Sequence, residues 1–189
     1  MNRKTTNSNF KNETMKKKPV FILFAFCALH INIAFTQPIV SVKDFQLLIG
    51  NWHGSLTYLD YTTNKPYTMP ANITITPIGR TNSFLFANSF PEEPNASWTD
   101  TILISADGRM INDETVKSKQ LLKNGALQII TEVLSIDGNE KKPALLKYTY
   151  TMGKNSFIKR KEVQFNGDKK WIQRHEYSYK KVKTRSSKK

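Results

Sequence analysis

The chain has 189 residues and a formal charge of +14, from 29 Lys and Arg against 15 Asp and Glu. That length suits one domain rather than two. Six basic residues precede Gln37 and six more follow Tyr179, so the stretch between them carries 17 basic against 14 acidic residues, which argues against a basic nucleic-acid-binding fold; the single cysteine, Cys27, excludes an internal disulfide framework.

Lys16-Lys17-Lys18 followed by the apolar run PVFILFAFCALHINIAF reads as a cleavable export signal. His30 and Asn32 interrupt the run, which falls short of the roughly 20 residues a membrane span needs. Residues 1–14 are polar and unlike a signal's charged start, which makes Met15 an alternative beginning. Cleavage is expected after Thr36. Cys27 follows Phe26 where acylation needs a small residue, so no lipid anchor is expected. The expected organisation is a leader over 1–36, a β-barrel domain over 37–180 and a flexible basic tail over 181–189. The expected location is periplasmic or extracellular.

Phe45, Leu48 and Ile49 are spaced as one face of a helical turn, with Ser41 and Asp44 placed to cap it. Gly50 ends the turn. A first strand over 51–61 puts Trp52, Gly54, Leu56, Tyr58 and Asp60 on one face. A second, over 68–78, alternates Met69, Ala71, Ile73 and Ile75 with polar residues. Phe84, Phe86 and Phe90 share a face of the third. A stiff acidic segment with two prolines, 90–95, leads to a strand over 98–104. Asp107-Gly108 is a hairpin turn, followed by strands over 109–116 and 117–123. Asn124-Gly125 and Asp137-Gly138 bound a strand over 127–136. Strands over 144–152, 157–165 and 171–179 complete the series. The fold class is all-β: an antiparallel meander of about 8–10 strands closing into a barrel, with a short N-terminal helical turn.

Leu48-Ile49-Gly50-Asn51-Trp52-His53-Gly54 resembles the Leu-x-Gly-x-Trp-x-Gly opening of lipocalin-like proteins, a group that includes fatty-acid-binding and nitrobindin-type barrels. The likeness extends loosely over residues 45–180 and is nearest to short bacterial barrels. It implies that Trp52, flanked by Gly50 and Gly54, plugs the closed end. It also implies an arginine of the last strand stacked on that indole, for which Arg174 is the candidate. The barrel would hold an apolar or amphipathic small molecule.

The last strand leaves two orientations open. Trp171, Gln173, His175, Tyr177 and Tyr179 form one face; Ile172, Arg174, Glu176 and Ser178 form the other. The aromatic face buries more apolar area and is expected inside. The candidate ligand-binding residues are Tyr58, Asp60, Phe84, Phe86, Tyr148, Tyr150, His175 and Tyr177. His53 and His175 lie on the first and last strands, but no HxH or HxxxH spacing supports a metal site, and no metal or other cofactor is expected. Carboxylates fall within strand-like runs at Asp60, Asp100, Glu114, Glu132 and Glu162. Two converging in one cavity would allow acid-base chemistry, with Tyr58 and Asp60 the best inward pair. The expected function is binding of a small apolar or amphipathic ligand, with an enzyme using the same cavity or an envelope-associated interaction protein as alternatives. No catalytic residue is assigned, and the only partner expected is the small molecule.

Overall fold

The computed structural model describes residues 37–60, 62, 63 and 65–183. The leader, Cys27 and the end of the basic tail lie outside them. Helix α1 (Val42–Gln46) is followed by β1 (Gly50–Asp60), β2 (Lys65–Pro77), β3 (Ser83–Ser89), a single 3-10 turn at Pro94–Ala96 and β4 (Trp98–Leu103). Then come β5 (Met110–Ile111), β6 (Glu114–Leu121), β7 (Leu127–Asp137), β8 (Lys142–Met152), β9 (Ser156–Phe165) and β10 (Ile172–Lys181). The sheet order is β4-β3-β2-β1-β10-β9-β8-β7-β6-β5, all antiparallel, so pairing of the first and last long strands joins the two ends of a meander.

The remaining seam lies between β4 and β5. It is held by a bridge between Ile104 and Ile111 and by the Asn112 N–H donating to Leu103 O at 2.7 Å. Above that point Trp98–Ile102 pairs with β3 alone. The barrel is therefore nearly closed, with the upper part of β4 as a free edge. No helix among the described residues is long and apolar enough to cross a membrane.

Inward alternation fixes the wall. Met69, Ala71, Ile73 and Ile75 of β2 are all buried, as are Phe84 and Phe86 of β3. The second strand begins at Lys65, earlier than the sequence reading placed it, and carries Pro66 and Pro70 within the ladder. It tolerates them because its lower-numbered half has a partner only on the β1 side, and a proline lacks only the donor that an edge leaves unused.

Two further boundaries differ from the sequence reading. The strands expected over 109–116 and 117–123 divide instead at Asn112-Asp113, where Asn112 takes a left-handed conformation (φ 54°). Asparagine adopts that region more readily than most residues, and the expectation overlooked it. At the other end, Lys180 and Lys181 are paired with His53 and Trp52, so the ladder runs past the point where fraying was expected.

The base of the barrel is a closed apolar plug. Trp52 is fully buried, and its indole N–H donates to Leu48 O at 2.7 Å. Phe45 and Leu48, also fully buried, cover it from α1 and the following turn. Phe45 packs on Phe84 and Tyr150, with ring centres at 5.8 and 6.0 Å, and Phe157 meets Trp52 edge-on at 6.2 Å. Asp44 holds the helix in place by accepting from the Ser41 N–H and from Lys119 Nζ, each at 2.7 Å. Gly54 is required by the neighbouring strand: a Cβ there would lie 2.0 Å from Ser178 O, so β10 packs directly on its backbone. Gly50, at φ +123°, turns the chain into β1 in a conformation that disfavours other residues.

The long cation over Trp52 is Lys181, not Arg174. Lys181 Nζ sits 5.1 Å from the indole centre and donates to Leu47 O at 3.3 Å. The register explains it: Trp52 pairs with Lys181, whereas Arg174 lies at the opposite end of β10.

Candidate functional site

Above the plug the interior changes character. The inward face of β9 reads Phe157, Lys159, Lys161, Val163, Phe165, and that of β10 continues with His175, Tyr177 and Tyr179. Alternation places two lysines inside the barrel. Lys161 donates to Asp137 at 2.5 Å, and Arg174 Nε donates to the other oxygen of the same carboxylate at 2.8 Å. Burial alone would raise the Asp137 carboxyl, but the Lys161 hydrogen bond and charge and the Arg174 charge outweigh it and hold it below the usual range.

Arg174 reaches Asp137 because β10 carries a bulge. Gln173 pairs with Glu162 and His175 with Lys161, leaving Arg174 as the extra residue. A bulge reverses the facing of everything before it. The aromatic face expected inside is therefore split: His175, Tyr177 and Tyr179 point in, while Trp171 lies beside Lys147, whose Nζ is 4.1 Å from the ring centre. The alternative is split too, since Arg174 turns in while Glu176 pairs with Arg160 at 2.6 Å.

His175 packs on Tyr177 at 5.4 Å between ring centres and pairs across the ladder with Tyr58. Its pKa is pushed down to about 4, first by burial and then by Lys159 and Lys161. Burial pushes the Tyr177 hydroxyl up to about 12 and also raises Tyr148 and Tyr179. Lower down, Glu114 accepts from the Thr131 hydroxyl and, at 3.1 Å, from the Tyr150 hydroxyl. Burial raises its carboxyl despite those bonds.

Two neighbouring spaces that share Trp98 lie on the β4 side of this interior. A vestibule of about 160 Å³ is lined by Leu56, Tyr58, Met69, Phe90 and Trp98, with Glu93 and Ala96 at its lip. Beyond it lies a chamber of about 30 Å³ bounded by Phe86, Asn88, Asp100, Lys159, Tyr177 and neighbours. Trp98 belongs to both linings, and Leu56 of the first pairs with Tyr177 of the second. The first space is mostly apolar; the second offers an amide, a carboxylate and an amine. A larger cleft of about 740 Å³ runs between the β7–β8 and β9–β10 turns. It contains the Asp137–Arg174 and Glu140–Lys142 pairs.

Of the residues proposed from sequence, Tyr58 lines the vestibule, and Phe86 and Tyr177 line the chamber. His175 stands beside Tyr177, and Tyr148 faces Lys159. Phe84 is part of the apolar plug, and Tyr150 is tied to Glu114. Asp60 serves a local turn: it accepts from the Thr62 N–H and the Thr63 hydroxyl, each at 2.8 Å, and these bonds hold its carboxyl low. The Tyr58–Asp60 acid-base pair is thereby removed. The two strand histidines are not brought together, because His53 pairs with Lys180 and is exposed. Among the described residues there is no cluster of three or more metal-ligating side chains. Lys159, Asn88 and Trp98 were missed, and Asp100 was named only among the strand carboxylates. The signal for Lys159 was present in Phe157-x-Lys159-x-Lys161-x-Val163, where lysines alternate in phase with apolar residues, but lysines in a strand are ordinarily read as outward.

No protein-family model matches the chain, and no curated protein matches it. Among solved structures it is similar to Rv2717c from M. tuberculosis, with a TM-score of 0.46 and 11% identity over 77% of this chain and 100% of that one. It is also similar to a protein of unknown function of the DUF3598 family from Nostoc punctiforme, with a TM-score of 0.41 and 13% identity over 79% of this chain. This chain spans 53% of the Nostoc protein's length.

Proposed function

We propose that the protein is an exported, lipocalin-like barrel that binds a small amphipathic ligand through the open side of its wall. The observation that carries this reading is the apolar vestibule of about 160 Å³ adjoining, across Trp98, a polar chamber of about 30 Å³. Such a gradient suits a molecule with a short apolar body and one polar end. Ligand pockets generally pair apolar walls with a few placed polar groups. The filled base below Trp52 limits the ligand to the upper half. Export is supported by the lysine-led apolar leader and the lipocalin kinship by the Gly50-x-Trp52-x-Gly54 opening.

Calorimetry with a series of n-alkanols tests the reading. Affinity should rise by about 0.8 kcal/mol per methylene and level off near five carbons, since a methylene fills about the volume of a water, roughly 30 Å³. Leu56→Trp should abolish binding by filling the vestibule. No saturable binding across the series, or unchanged binding in a Leu56→Trp variant that melts normally, contradicts it.

A further inference from the structure

We propose that Lys159 is a carbonyl-capturing lysine, which forms an imine with an aldehyde or ketone group carried by the amphipathic ligand. This rests on the vestibule reading above and adds the ligand's chemical class.

Lys159 points into the barrel, is half-buried there, lines the chamber, and makes no hydrogen bond or ion pair among the described residues. Its inward neighbour Lys161 has a carboxylate partner, so the contrast is within one strand face. What surrounds the Lys159 amine is mainly aromatic: the ring centres of Tyr150 and Tyr148 lie 5.5 and 5.7 Å from Nζ, and Phe157, Tyr177 and Tyr179 share the chamber wall. The groups acting on it electrostatically are Glu114 and Asp100. Glu114 already accepts from Thr131 and Tyr150, and burial pushes it toward its neutral acid. Burial likewise lowers the Lys159 ammonium pKa, against the pull of those two carboxylates. His175, neutral above its depressed pKa of about 4, places no positive charge beside it at neutral pH. A desolvated lysine of this kind gives up its proton more readily than an exposed one, and so reaches the free amine, the nucleophilic form, more easily.

The chemistry balances without another reactant. The amine lone pair attacks the carbonyl carbon, and the C–O π pair moves to oxygen, which takes a proton. The carbinolamine then expels water to leave C=N, so amine plus carbonyl gives imine plus water. Asp100, on the chamber wall, is the carboxyl available to relay the proton. The apolar vestibule would hold the rest of the molecule.

The experiment is reductive trapping of the full chain with hexanal and cyanoborohydride at neutral pH, followed by peptide mapping, with 1-hexanol titrated separately. The expected result is alkylation at Lys159 at least tenfold faster than at any other lysine. Leu56→Trp should suppress it, and a folded Lys159→Met variant should lose it. Hexanol binding without preferential labelling of Lys159 would overturn the inference while leaving the binding reading intact. Hexanoate binding more tightly than hexanol in a Lys159-dependent way would also overturn it, because that marks a charged lysine. Neither hexanol binding nor trapping would overturn both.

Discussion

At the base of the barrel, Trp52, Phe45, Phe84 and Phe157 fill the space between strands and the one buried donor, the indole N–H, has an acceptor. Further along β9 and on its neighbour β10, the inward positions hold Lys159, Lys161, His175 and Arg174, and a small space opens beside Lys159. The two regions share backbone geometry and differ in what alternation delivers to the inside. The lower one is organised to hold the fold together. The upper one carries desolvated polar groups that a purely structural interior would replace at no loss, since buried ion pairs are often no better than apolar packing.

The largest expected effect belongs to the base. Trp52→Ala should cost about 3–5 kcal/mol through cavity formation, leaving Leu48 O without its donor. Thermal or urea unfolding measures it; a cost below about 1 kcal/mol would show that the plug is not the stabilising element. In the upper region, Asp137→Ala should cost about 3 kcal/mol by removing the carboxylate that Lys161 and Arg174 share. Because the Asp137 carboxyl is held low, its contribution is complete above the ordinary carboxylate range and is lost as pH falls through the lowered value. The variant's melting point should therefore converge on that of the parent in strong acid.

His175 sharpens the comparison in a different pH window. Its pKa falls from 6.5 to about 4 on folding, so between those values the unfolded chain takes up a proton that the folded chain refuses. Stability from this source is complete above pH 6.5 and declines toward pH 4, by about 3 kcal/mol in all. His175→Phe should flatten stability across that interval; an unchanged slope would place the titration elsewhere. The smallest effect is expected from Lys181→Met, which removes a partly exposed cation from the Trp52 face and should cost about 0.5–1 kcal/mol. Arg174→Met should act through Asp137 instead, with no change in Trp52 fluorescence.

The plug was legible in the sequence because its signals are local: the Phe45-Leu48-Ile49 spacing and the Gly50-x-Trp52-x-Gly54 run each lie within a few residues. The meander was legible from alternation and turn residues. What escaped depended on register. A single bulge at Arg174 reversed the facing of Trp171 and Gln173 and sent an arginine to Asp137, 37 residues earlier. The same kind of distance decided which cation meets Trp52, since only pairing of β1 with β10 selects Lys181 over Arg174. The chamber was hidden for a chemical reason: Lys159 and Lys161 look like surface residues until the apolar residues in phase with them are counted.

The division between a sealed base and a receptive upper half is tested most directly by the tryptophan indole N–H signals in a ¹⁵N spectrum during titration with 1-hexanol. Trp98 lines the vestibule and Trp52 lies sealed in the plug. The account predicts a saturable shift of the Trp98 signal with the Trp52 signal unmoved. A stationary Trp98, or a shift at Trp52 as large as that at Trp98, would contradict it.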